Sequence, residues 1–219
     1  MRLTVFGATG RTGRPLVEQA LRRGHEVTAF VRDPTGLPPE LRNDDRVRVV
    51  VGDAYTGAGV ERAVDGGEGP PADAVVNVLG QGSGGPDDLL TRAGGHVLDA
   101  MDRVGVDRYV TLVGAGVREE DESVSLGGRM MGTLLKLLAR AVLADARDHV
   151  EAVRGRDVAW TVVRGPRLTD GAHTGEFVHG TDIALGVRAT AARANVAEFV
   201  LDCVEEGRYV RGLPKVADA

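Results

Sequence analysis

Phe6-Gly7-Ala8-Thr9-Gly10-Arg11-Thr12-Gly13 is the stretch whose reading decides the fold. It follows an apolar run at residues 3–6 and opens an amphipathic, helix-forming segment at 12–23. Three glycines at intervals of three suit a strand–turn–helix junction that holds phosphate. Gly7 permits the tight turn, Gly10 lets the backbone approach a pyrophosphate, and Gly13 lets helix and strand pack closely. Amides at the start of the helix, carried by a turn that also contains Thr9, Arg11 and Thr12, then face the negative charge. A merely tight βα turn also uses glycines; the place between a first strand and a first helix is what points to a dinucleotide.

Beyond that turn, β-rich runs alternate with helical ones. Strands are predicted at 26–31, 47–51, 74–79, 108–113 and 158–163, and their continuous valines suit strands buried on both faces of a parallel sheet. Helices are predicted at 57–64, 87–104, 134–154 and 191–205. This alternation argues an α/β fold, a Rossmann-type doubly wound parallel sheet with right-handed crossovers. The chain reads as one domain over residues 1–219, with about 169–219 contributing a small C-terminal lobe on the substrate side. Glycine- and proline-rich stretches at 66–71 and 80–86 read as strand-end loops, and the polar segment 169–186 as an irregular cap over the cleft.

The choice of nicotinamide dinucleotide depends on the end of the second strand, Phe30-Val31-Arg32-Asp33-Pro34. NAD binders usually place an acid there for the ribose 2′-hydroxyl. Here Arg32 is the first polar residue, suited to a 2′-phosphate by its charge and forked donors, and Arg11 could reach the same phosphate. Asp33 competes, since it could accept from a 2′-hydroxyl, although its place before Pro34 suits a turn. The balance favours NADP(H) over NAD(H).

Composition sets the outer bounds. The 219 residues carry a net charge of −5, with 42% hydrophobic and 27% charged residues, so nucleic acid is not an expected ligand. Lysine occurs only at Lys136 and Lys215, a skew toward arginine that reads mainly as compositional bias. Cys203 is the single cysteine; it excludes an intrachain disulfide and a cysteine-based metal site, and its apolar surroundings at 199–204 suit a buried thiol. His173 and His179 show no metal-ligand spacing, so no metal is expected. No signal-peptide core or membrane-length apolar run is present, which makes the cytoplasm the default and a membrane role unexpected. Oligomeric state is not legible.

Several further segments carry a family resemblance. They are Val31-Arg32-Asp33-Pro34, Val51-Gly52-Asp53-Ala54, Gly105-Val106-Asp107-Arg108-Tyr109-Val110, Ala159-Trp160-Thr161-Val162-Val163-Arg164-Gly165-Pro166, Leu168-Thr169-Asp170-Gly171 and Arg193-Ala194-Asn195-Val196-Ala197-Glu198-Phe199. With the glycine turn, they make nearly the whole chain resemble the atypical short-chain dehydrogenase/reductases of the NAD(P)H-binding group, close to the flavin/biliverdin reductases and NmrA-like proteins. The resemblance implies that Asp53 holds the adenine amino group with Ala54 beside it. It implies that Leu79 and Gly80 line the nicotinamide ribose, that Gly114 and Ala115 form the floor beside the nicotinamide, and that Arg164 and Pro166 border the substrate. Asp53 is equally suited to capping the helix that follows it.

A dedicated proton donor is harder to find. Ordinary members of this superfamily use a serine, and a tyrosine four residues before a lysine. The residues four positions after Tyr55, Tyr109 and Tyr209 are Gly59, Val113 and Leu213, and Val113-Gly114-Ala115-Gly116 has no hydroxyl where the serine would stand. The resemblance then implies direct hydride transfer from NADPH to a small planar acceptor such as a flavin or quinone, with Lys136, His149, Arg164 or solvent supplying a proton or charge. Lys136 is equally a snorkelling helix lysine. His149 sits with Asp145, Asp148 and Glu151 where solvated i,i+3 and i,i+4 pairs are usual. The alternative implied by the resemblance is a non-catalytic NADP(H)-sensing regulator of NmrA-like type.

Overall fold

The computed structural model describes residues 1–67, 69–80, 85–117, 140–186 and 188–219. Six strands follow one another in parallel: β1 (Arg2–Phe6), β2 (Glu26–Val31), β3 (Val47–Val51), β4 (Ala74–Asn77), β5 (Arg108–Gly114) and β6 (Ala159–Gly165). Two short strands, β7 (Arg167–Thr169) and β9 (Thr190–Ala192), pair with each other alone. β10 (Lys215–Asp218) lies parallel beside β6, and β8 (Phe177–Gly180) closes that edge antiparallel. The main sheet therefore runs β3-β2-β1-β4-β5-β6-β10-β8, a Rossmann-type α/β order with β1 and β4 adjacent at the centre.

The helices are α1 (Gly13–Arg22), α2 (Pro39–Arg42), α3 (Val60–Val64), α4 (Leu89–Val104), α5 (Arg140–Arg154) and α6 (Arg193–Glu205). Alternation along β1 shows why four of its five residues are buried. Leu3 and Val5 join Leu16 and Val17 of α1 and Val196, Phe199 and Val200 of α6 in one layer. Phe6 points the other way, into a layer with Phe30, Val60 of α3, Val97 of α4 and Val150 of α5. Both faces are covered, so nearly every position of the central strands excludes water. Cys203 lies fully buried on α6, where loss of solvent pushes its thiol up to about 12.

Two local outcomes differ from the sequence reading, and a third segment is described only in part. The helix expected from residue 57 begins at Val60, because residues 53–58 fold back on themselves, with the Asp53 N–H donating to Ala58 O at 2.9 Å. The segment 169–186 contains β8, and residues 215–218 form β10; four-residue strands leave too short a pattern to separate from loop. Of the helix expected over 134–154, residues 140–154 are helical and 134–139 lie outside the described residues.

The first turn of α4 is capped from another helix. Asp88, just ahead of it, makes no side-chain capping bond. Asp145 of α5, only 4% exposed, accepts from the Leu90 N–H at 2.8 Å and the Thr91 N–H at 2.9 Å. The Thr91 hydroxyl in turn donates to Asp145 O at 3.1 Å. Of the residues expected in solvated pairs along α5, Asp148 and Glu151 are exposed and Glu151 pairs with Arg154 at 3.2 Å, while Asp145 and His149 face inward. Replacing a capping carboxylate by alanine ordinarily costs about 1–2 kcal/mol. Asp145→Ala should lower the urea-unfolding free energy by about that amount, and Asp145→Asn, which keeps an acceptor, by less; an unchanged midpoint for Asp145→Ala would count against the cap.

Candidate functional site

The glycine turn sits where β1 meets α1. Gly7 has φ +86°, and a Cβ there would stand 2.9 Å from the backbone of Val78 and Leu79. A Cβ on Gly13 would stand 2.0 Å from Gly7 O, so the start of α1 touches the end of β1 through backbone alone. The Gly10 N–H closes the turn onto Gly7 O at 2.9 Å, and helical bonding begins with the Arg14 N–H donating to Gly10 O at 3.0 Å. The amides of Arg11, Thr12 and Gly13 precede that bond, at the positive end of the helix. Thr9 packs its side chain against Gly36. Arg11 reaches outward to Asp170, so its guanidinium is not directed to the end of β2.

At the end of β2, Arg32 is exposed. Asp33 is committed to a turn: its Oδ1 accepts from the Thr35 N–H at 2.9 Å and from the Thr35 hydroxyl at 2.8 Å. Those two bonds hold its carboxyl below the usual carboxylate range. At the end of β3, Asp53 accepts the Tyr55 N–H at 2.9 Å and so closes a turn rather than capping α3. Ala54 is buried, and its carbonyl lies 3.0 Å from His96 Nδ1 of α4.

The ends of the remaining parallel strands complete the cleft. Phe6 of β1 is in register with Asn77 of β4, so Gly7 and Val78 leave the sheet side by side. Asn77 is buried; its Nδ2 donates to the Tyr109 hydroxyl at 2.9 Å, and its Oδ1 accepts the Leu79 N–H at 3.1 Å. Gly80 and Gly114 are both exposed, with no other described residue within 4 Å of where a side chain would begin. Pro166, just after β6, is half-buried.

Two expected participants are placed otherwise. Arg164 is 0% exposed: its Nε donates to Leu213 O at 2.9 Å and its Nη1 to Val117 O at 3.0 Å. It fastens the segment after β5 to the approach to β10 and presents no surface to a substrate. His149 is also 0% exposed, with Nε2 3.2 Å from the Thr111 hydroxyl and its ring against Gly94 of α4. Burial holds its imidazole down to about 4, against a weaker opposing pull from Asp145, so it is neutral at physiological pH and does not serve as an acid. Lys136 lies outside the described residues.

A phosphate-binding turn at the switch point of such a sheet is the arrangement of a dinucleotide site. A family model described as NAD(P)H-binding matches residues 7–207. The chain belongs to this NAD(P)H-binding family. A curated relative, the chloroplastic divinyl chlorophyllide a 8-vinyl-reductase of Oryza sativa subsp. indica, is 28% identical over 96% of this chain, which spans 53% of that protein's length. A short-chain dehydrogenase/reductase from Veillonella parvula, solved in complex with NADP, superposes with a TM-score of 0.80 at 18% identity, covering 99% of this chain and 94% of that one. ChuY, titled an anaerobillin reductase, from Escherichia coli O157:H7, gives 0.78 at 19% identity over 100% and 97% of the two chains. No helix among the described residues is long and apolar enough to cross a membrane.

Within this NAD(P)H-binding chain, several site-forming residues were invisible to motif reading. Arg14 donates from Nε to Thr9 O at 3.1 Å and from Nη2 to Gly36 O at 3.0 Å, which joins the glycine turn to the turn after β2. Tyr55 donates its hydroxyl to Asp88 at 3.0 Å beneath the Arg92 guanidinium, whose carbon lies 4.7 Å from the ring centre. With His96, these groups anchor the 53–58 turn to α4. Their only sequence signal is that polar residues recur on the strand-end side of a helix, which no spacing rule singles out.

Two measurements follow from these placements. Gly13→Ala should abolish soluble folding or cost several kcal/mol, because backbone cannot yield as a side chain does. His149 is neutral when folded, and its folded value lies below the unfolded value near 6.5. Its contribution is therefore complete above about pH 6.5 and is lost as pH falls toward about 4, by about 3 kcal/mol at most. Urea unfolding across that window should show this loss in the wild-type chain and a shallower slope in His149→Gln; equal slopes would contradict the placement.

Proposed function

We propose that the chain is an NADPH-dependent reductase that passes hydride to a small planar acceptor such as a flavin or quinone. The observation that carries this is the glycine turn pressed against the end of β4, with Gly80 and Gly114 exposed and clear of other described residues at the neighbouring strand ends. In this reading the amides at the end of the Gly7–Gly13 turn, with Thr9, Arg11 and Thr12, hold the pyrophosphate. Arg32 holds the 2′-phosphate, and Asp53 and Ala54 border the adenine. Leu79, Gly80 and Gly114 line the nicotinamide side, Pro166 borders the acceptor, and the segment beyond about residue 169 flanks it.

Preference for NADP(H) over NAD(H) is supported at the end of β2, where the guanidinium is exposed and the neighbouring carboxylate is already spent on Thr35. The Veillonella protein's NADP complex is consistent with it. When bound, the reduced coenzyme supplies a hydride, and the chain's part is to orient it, exclude water from one face and leave room for a flat ring. A tyrosine–lysine proton donor is absent from the sequence, and Tyr109 is buried with its hydroxyl pushed up to about 12, hydrogen-bonded to Asn77. Electron-poor aromatic acceptors can take up their proton from solvent after hydride transfer. The reductase names carried by the rice and Escherichia coli proteins agree with this class.

The deciding experiment is titration with NADPH and NADH, followed by NADPH oxidation in the presence of FMN and simple quinones. Tight NADPH binding with turnover is the expected result. Binding without turnover of any acceptor would favour the nucleotide-sensing alternative, and binding of neither nucleotide would overturn the reading. Charge-assisted hydrogen bonds contribute about 1.5–3 kcal/mol, so Arg32→Ala should weaken NADPH by about ten-fold or more and leave NADH within about two-fold. Equal losses for both nucleotides would remove Arg32 from the 2′-phosphate.

A further inference from the structure

Arg11 belongs to the glycine turn, yet its side chain, 67% exposed, leaves the turn for the segment after β7. Its Nε donates to Asp170 Oδ1 at 3.1 Å and its Nη2 to Asp170 Oδ2, a two-pronged grip on one carboxylate. Arg193, at the start of α6, donates from Nη1 to the same Oδ1 at 2.7 Å. Arg193 is the better-sheltered partner, with its side chain 15% exposed against 61% for Asp170. Two guanidinium groups, one from the phosphate turn and one from α6, thus converge on a single carboxylate.

That carboxylate and a pyrophosphate make the same demand on Arg11: a planar fork offered to two anionic oxygens. The fork cannot face both at once. We propose that Asp170 is an internal competitor for Arg11, holding its guanidinium in the nucleotide-free protein and yielding it when the coenzyme's pyrophosphate enters the turn. Asp170 thereby sets coenzyme affinity without touching the coenzyme. Arg193 makes the exchange inexpensive, because it keeps a cation on Asp170 after Arg11 leaves. The inference rests on the reading that the Gly7–Gly13 turn holds pyrophosphate.

The test is NADPH binding by calorimetry at low and at high salt, on the wild-type chain, Asp170→Asn, Arg11→Ala and the double variant. Exposed ion pairs are weak, so Asp170→Asn should tighten NADPH by about three- to five-fold at low salt, and the gain should shrink as salt screens the pair. In the Arg11→Ala background the same substitution should change affinity by less than about 1.5-fold, since no guanidinium remains to be released. An unchanged or weaker affinity for Asp170→Asn overturns the proposal. So does an equal gain with and without Arg11, which would mark simple repulsion between Asp170 and the phosphates. Failure of the wild-type chain to bind NADPH would instead overturn the coenzyme reading, and this proposal with it.

Discussion

The start of α1 lies against the end of β1 with no side chain between them, and this end of the sheet is arranged around that contact. A Cβ at Gly13 would stand 2.0 Å from Gly7 O, and one at Gly7 would stand 2.9 Å from the backbone of Val78 and Leu79. Three segments therefore meet backbone to backbone, and the uncommitted amides of the turn open at the switch point between β1 and β4. Neighbouring pieces are then set relative to this junction. Arg14 ties it to the turn after β2, and Asn77 fixes the amide of Leu79 on the opposite wall.

Much of the fold was legible because its signals are periodic or strongly spaced. β2 and β3 were readable to the residue because valine-rich runs stand between polar and turn-forming residues, although β3 is an edge strand in which only Val50 is buried. The glycine triplet marked the end of β1 because only glycine meets those contacts. β8 and β10 were not legible: each is four residues long, and the strand character of Lys215–Asp218 comes from pairing with β6 and β8 rather than from its composition. The family resemblance led to the ends of the parallel strands, but it could not say which polar residues there face outward. Arg164 and His149 carry the right chemistry for a site and stand on the right elements, yet both are sealed in the interior.

Arginine usage has a structural side that composition alone concealed. Arg14, Arg46, Arg62, Arg108 and Arg164 all donate to backbone carbonyl oxygens at turns or at the ends of strands and helices. Arg108 reaches Ala159 O, Cys203 O and the Thr161 hydroxyl together, and burial lowers its pKa from the ordinary value. A guanidinium presents five donors in a rigid plane and can bridge several carbonyls that a lysine would serve one at a time. A chain with two lysines thus uses arginine as mortar as well as for ion pairs.

The cap that Asp145 places on α4 also orders events during synthesis. The carboxylate lies 55 residues beyond the Leu90 amide that it receives. On the ribosome, the first turn of α4 emerges and must wait with its amides in water until α5 has been made. Until then β4 and β5 can pair, but α4 stays frayed at its leading end. Completion of α4 is therefore a late step, tied to the arrival of one acidic side chain from the second half of the chain.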